Sequence, residues 1–150
     1  MKKVCIAIDY NVSAEKVAEI GYTYAKAFNA EVTVIHVFND TIMYGMEEDS
    51  GFGFSGVTYE NEIEFDNLRK ANMGKYLKAS KKHLKDDTIE TQLLEGDTED
   101  EILNFVKNWG ADLLVIGKHK HNAVESVLLG NTAMKIIRRA TVPLLVISTR

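Results

Sequence analysis

Two glycines, Gly117 and Gly130, bracket the stretch in which this chain is best equipped for chemistry. Leu113 to Gly117 reads as a buried strand, with Ile116 beside the glycine that ends it. Lys118, His119, Lys120 and His121 follow, and Gly130, Asn131 and Thr132 then open a helix. Unpaired N–H groups at a helix start, backed by the helix dipole, attract anions. The chemistry expected here is therefore the holding of a phosphate or carboxylate. Glycines at strand ends are also ordinary turn residues, so the spacing alone leaves that reading open. His119 and His121 raise a metal as an alternative, but no third ligand stands at a readable spacing, and they read as solvated loop residues.

Such a site needs a scaffold, and the rest of the chain carries the pattern of one. Val4 to Ile8 is a short apolar run ending at Asp9, as expected of a strand covered on both faces. Ser13 stands where a cap belongs, ahead of Val17, Ile20, Tyr24, Ala27 and Phe28 at helical spacing, with Asn29 as the stop. Val32 to Phe38, rich in β-branched residues, is the second strand, and His36 within it reads as a packed or hydrogen-bonded residue. Residues 39–60 form a long connection holding Met43, Tyr44, Met46, Phe52, Phe54 and Tyr59. It is either a flap over an apolar ligand or partner surface, or a segment with incidental aromatics.

A helix is predicted from about Asn61 to Leu84, with Ile63, Phe65, Leu68, Ala71, Met73, Tyr76, Leu77, Ala79 and Leu84 on its apolar face. Thr88 to Leu94 is a strand that stops at Gly96. Asp97 or Thr98 caps the next helix, whose first turn holds Glu99, Asp100 and Glu101 and which presents Ile102, Leu103, Phe105, Val106 and Trp109 before closing at Gly110. A helix from Thr132 to Ala140, with Met134, Ile136 and Ile137 inward, precedes a strand from Pro143 to Ile147, where the proline suits an edge. Strands alternating with helices predict an α/β fold: an open, doubly wound, five-stranded, mostly parallel sheet with helices on both faces. Ligands of such sheets bind beyond the carboxyl ends of the strands, so Asp9, Val37, Gly96 and Gly117 should meet at one rim.

A length of 150 residues suits one core and one domain. Hydrophobic residues at 45% and charged residues at 27% match an ordinary globular protein. A net charge of −4 argues against a dedicated nucleic-acid binder, so any basic site must be local. No apolar run approaches the ~20 residues that span a bilayer, and the N-terminal run ending at Asp9 is too short for a signal peptide; a cytoplasmic location is expected. The single cysteine, Cys5, reads as a buried, reduced thiol without a catalytic partner.

Val-Ile-Gly-Lys-His-Lys-His-Asn at 115–122, Leu-Leu-Gly-Asn-Thr at 128–132, Val-Pro-Leu-Leu-Val-Ile at 142–147, Ile-Ala-Ile-Asp at 6–9 and Val-Ile-His-Val at 34–37 together resemble the universal stress protein family over nearly the whole chain. That family divides into members that bind ATP and members that do not. In the binders the fourth strand leads into Gly-x-x-Gly, nine residues, then Gly-Ser or Gly-Thr. This sequence keeps Gly117 and Gly130 but has Lys120 for the middle glycine and Asn131 for the Ser or Thr. The lysine side chain either fills space where phosphates would approach or supplies them a cation, helped by Lys118. Asn131 remains a competent cap.

The resemblance implies adenine nucleotide, ATP with Mg²⁺ or AMP, as the cofactor. Asp9 would lie on its ribose or phosphate side, Val37 main chain at adenine, and Gly117, Gly130, Asn131 and Thr132 at the phosphates. It also implies a homodimer through the last strand, Val142 to Ile147, and an unidentified protein partner. The competing reading is a nucleotide-free dimeric interaction module with a vestigial pocket. Hydrolysis is expected at most as a slow side activity, since no carboxylate pair, nucleophile with a base, or intact P-loop lysine motif is present.

Overall fold

Successive side chains of a strand point to opposite faces of a sheet, and here that alternation sorts the core into two layers. The computed structural model describes residues 1–9, 13–39, 59–118 and 131–148, the side chains of 59–65 excepted. Among these, the elements run β1 (Lys3–Ala7), α1 (Ala14–Ala27), β2 (Glu31–Phe38), α2 (Tyr59–His83), β3 (Glu90–Glu95), α3 (Thr98–Trp109), β4 (Leu113–Lys118), α4 (Asn131–Arg139) and β5 (Leu144–Ser148). Every strand pairing is parallel and the order is β3-β2-β1-β4-β5, as the strand–helix alternation predicts. The connection from residue 40 to 58, with His119, Lys120, His121 and Gly130, lies outside the described residues. No helix among the described residues is long and apolar enough to cross a membrane.

Val4, Ile6, Val32, Val34, Leu113 and Val115 face α1 and α2, while Cys5, Ile35, Leu114 and Ile116 face α3 and α4. Fully burying an aliphatic side chain is worth roughly 1.5–3 kcal/mol, so covering the central strands on both sides is the main source of stability. Cys5 lies wholly within this core, and burial pushes its thiol up, which keeps it protonated and unreactive.

Helix faces are where the structure corrects the sequence pattern. Tyr24 and Phe28, expected inward, are 47% and 51% exposed. α1 instead buries Ala14, Val17, Ala18, Gly21 and Ala25. The cause is its depth on the sheet, since a Cβ at Gly21 would lie 3.0 Å from Ile6 Cδ1 and 3.1 Å from Val115 Cγ1. A helix seated that low accepts small residues against the strands and turns large ones outward. Ser13 stands at the N-cap, but its side chain makes no capping bond.

In α2, Arg69 and Lys70 rather than Leu68 lie over the sheet, their cationic groups 4.7 and 5.4 Å from the centre of the Phe38 ring. That rotation leaves Leu68 exposed, with Ala71 and Ala79 also outside, and Leu77 carries the burial. In α4, Ala133 and Ile136 are buried and Ile137 is turned out. The caps of α3 follow expectation: Asp97 accepts the Asp100 N–H at 3.1 Å, and Gly110 closes the helix at φ 72°.

Asp86, in the turn between α2 and β3, ties that turn to α1. Its carboxylate accepts the Thr88 hydroxyl at 2.6 Å and N–H at 2.9 Å, and the Tyr22 hydroxyl at 2.5 Å, with Lys26 Nζ at 3.2 Å. The Thr88 hydroxyl and then the Tyr22 hydroxyl hold the Asp86 carboxyl well below the usual carboxylate range.

Gly21→Val should cost roughly 1–3 kcal/mol by overpacking, read as a lower urea midpoint; an unchanged midpoint would show that α1 does not sit as deep as described. For Asp86 the sign follows from a folded-state value below the unfolded one. Its stabilisation is complete above roughly pH 4 and is lost as pH falls below that. Asp86→Asn should therefore melt earlier than wild type at neutral pH, and the gap should narrow in acid. A gap of the same size in acid and at neutrality would count against the tie that Asp86 makes between this turn and α1.

Candidate functional site

β1 and β4 are hydrogen-bonded neighbours only as far as Ala7 and Ile116. Past that point each keeps its outer partner. Ile8 N–H donates to the Ile35 carbonyl at 3.0 Å, and Gly117 and Lys118 stay in register with Ile147 and Ser148. β1 leads to α1 on one face and β4 to α4 on the other, so the central ladder forks and a crevice opens at its carboxyl end.

The crevice is a cavity of about 460 Å³, inside the range of roughly 300–1,000 Å³ usual for small-molecule sites. Ala7, Ile8 and Asp9 come to it from the end of β1, Ile35, His36 and Val37 from β2, and Ile116 and Gly117 from β4. Thr98 and Ile102 enter from the start of α3, Asn131, Thr132, Ala133 and Ile136 from α4, and Val17 from α1. Aliphatic side chains make up most of the wall. Asn131 and Thr132 bring polar groups together with the first N–H groups of a helix.

Asp9, Val37, Ile116, Gly117, Asn131 and Thr132, all picked out in the sequence, are brought to this one cavity. Gly96 is not. It follows β3, an edge strand two places from the fork, and serves a turn in which its N–H donates to the Phe38 carbonyl at 3.0 Å with φ at +137°. Thr98, two residues on, reaches the wall in its place. Lys120 and Gly130 lie outside the described residues.

Thr98 was legible in principle, because in a doubly wound sheet each helix that follows a strand begins at the same rim. Ile102 and Ile136 read as core residues, and they are core and wall at once. His36 is hydrogen-bonded as the sequence suggests, its Nδ1 2.8 Å from the Ile8 carbonyl. A carbonyl only accepts, so that partner assigns the proton to Nδ1 and leaves Nε2 as an acceptor in the neutral ring.

The electrostatics are uneven. Asp9 brings a carboxylate to the wall, and among the described lining residues there is no lysine or arginine. α3 fills its first turn with Glu99, Asp100 and Glu101, whereas α4 has no acid in its first turn. Among the described residues, the positive end of α4 is thus not neutralised by acids of its own first turn.

The chain is 29% identical over 148 residues to universal stress protein MJ0531 of Methanocaldococcus jannaschii, covering 97% of this chain and 81% of that one. It is 24% identical to universal stress protein YxiE of Bacillus subtilis, covering 97% of each. A universal stress protein solved in complex with cAMP superposes with a TM-score of 0.71 at 18% identity, covering 99% of this chain and 98% of that one. The universal stress protein of Archaeoglobus fulgidus, solved in complex with dAMP, gives 0.59 at 20% identity and 97% coverage of each. Sequence descriptors of the universal stress protein family match residues 1–148, and the chain therefore belongs to that family.

Proposed function

We propose that this protein binds an adenine nucleotide, ATP with Mg²⁺ or AMP, in the cavity at the fork, and acts in a stress response through contacts with a second copy or a partner protein. The observation that carries the reading is the meeting of an apolar slot with a helix N-terminus that lacks its own acids. The aliphatic side chains of Val37, Ile102 and Ile116 suit the faces of a purine, and the Val37 main chain its edge. Asp9 is suited to accept from ribose hydroxyls, and the N–H groups at Gly117, Asn131 and Thr132 to meet phosphate oxygens. The complexes of related folds with cAMP and dAMP support the same ligand class.

One observation favours the alternative of a nucleotide-free interaction module. The described wall holds Asp9 and no lysine or arginine, so neutralisation of phosphate by such a side chain depends on residues 118–130, Lys120 among them.

The same reading includes a homodimer through β5. The two edges of the sheet differ in character: β3 exposes Glu90, Gln92 and Glu95, whereas β5 leaves Leu144, Leu145 and Val146 only half-buried. An apolar edge strand with open hydrogen-bonding groups invites a second strand.

Denaturing extraction of the purified protein followed by mass spectrometry should release ATP or AMP in near-stoichiometric amount. ATP added to nucleotide-free protein should raise stability by about 2.7 kcal/mol at one hundred times its Kd. No co-purified nucleotide and no thermal shift at millimolar ATP would leave the interaction-module reading. Leu144→Asp should move the sedimenting species from dimer to monomer, and a dimer that persists would exclude the β5 edge as its seam.

A further inference from the structure

We propose that Glu99 and Lys135 are positioning residues for the phosphate end of the cavity: their ion pair holds the first turn of α4 at the rim, so nucleotide affinity depends on a contact that no ligand touches. This rests on the nucleotide reading above.

α4 is a nine-residue helix. Isolated helices of that length are marginal, and only Ala133 and Ile136 of this one are buried. N–H groups can converge on a phosphate only if the axis of the helix is fixed. Lys135 lies one turn below Asn131, and its Nζ is 2.9 Å from Glu99 Oε1. One turn further, Arg139 meets Asp100 Oδ1 at 2.6 Å. Both acids belong to the first turn of α3, which Asp97 caps through the Asp100 N–H and which sends Thr98 into the same cavity. The start of α3 is thus tied to the middle and the end of α4, whose own start borders the cavity.

The two rungs differ in weight. Arg139 and Asp100 are each about half exposed, and exposed pairs contribute little. The Glu99 side chain is only 8% exposed. A carboxylate so buried that loses its partner is left as an uncompensated buried charge, which is costly. The hydrogen bond from Lys135 to Glu99 in turn holds the Lys135 ammonium above its ordinary range.

A purely electrostatic role predicts the opposite sign from a positioning role. Taking a negative charge from beside an anion site would tighten ATP binding if only the field mattered, and would weaken it if Glu99 acts by holding α4. Calorimetric titration of wild type, Glu99→Gln, Lys135→Met and Lys135→Arg with ATP and with adenosine, alongside melting temperatures, separates the two. ATP affinity should fall roughly tenfold in Glu99→Gln and Lys135→Met, the scale of one lost charged hydrogen bond. Adenosine affinity should be unchanged, and Lys135→Arg should retain ATP. Glu99→Gln keeps the side-chain volume, so it reports even if Lys135→Met fails to fold. Tighter or unchanged ATP binding in Glu99→Gln, or an equal loss of adenosine, would overturn the proposal while leaving nucleotide binding intact. A wild type that takes neither ligand would overturn the nucleotide reading and this inference with it.

Discussion

The rest of this molecule depends on the end of the pairing between β1 and β4. Parallel strands need long crossover connections, and consecutive right-handed crossovers carry the chain steadily to one side of a sheet. Here β1, β2 and β3 step one way and β4 and β5 the other. The two central strands must therefore deliver their chains to opposite faces. Ladder bonds between them stop at Ala7 and Ile116 while the outer ladders continue, and the gap is unavoidable. A cavity in this fold is a consequence of topology before any side chain is chosen.

Side chains then decide what the gap holds. Because the central strands are buried on both faces, the residues that reach the crevice are drawn from the same aliphatic set as the core. Ile35, Val37, Ile102, Ile116 and Ile136 belong to one packed cluster and to the cavity wall together. A wall made of core residues is rigid, since moving it would mean opening the core. Polar character enters where chain ends emerge, at Asp9, Thr98, Asn131 and Thr132, and within β2 at His36. The result is a largely aliphatic slot with a few polar groups in its wall.

Packing distances account for the helices in the same terms. α1 lies so close to β1 and β4 that small residues line its contact, and its large aromatics face outward. α4 is short and buries few residues, and it leans on α3 through paired charges. α1 is held by close contact along its length, whereas α4 adds ion pairs to the burial of Ala133 and Ile136. The second kind of attachment is weaker and more sensitive to its surroundings, and it belongs to the helix whose start borders the cavity.

The order of strands and helices, the buried central strands, the caps at Asp97 and Gly110, and the gathering of Asp9, Val37, Gly117, Asn131 and Thr132 at one rim were all legible in the sequence. They follow from local periodicity, local capping chemistry and a general rule of parallel sheets. Which face of α1 turns inward, why Leu68 and Ile137 lie outside, why Thr98 rather than Gly96 reaches the cavity, and the pairing of Glu99 with Lys135 were decided by the tertiary structure alone. Each of these is a distance between residues far apart in the chain. Spacing along a helix ranks its apolar positions but carries no information on how near the sheet lies or which charged neighbour waits across the groove.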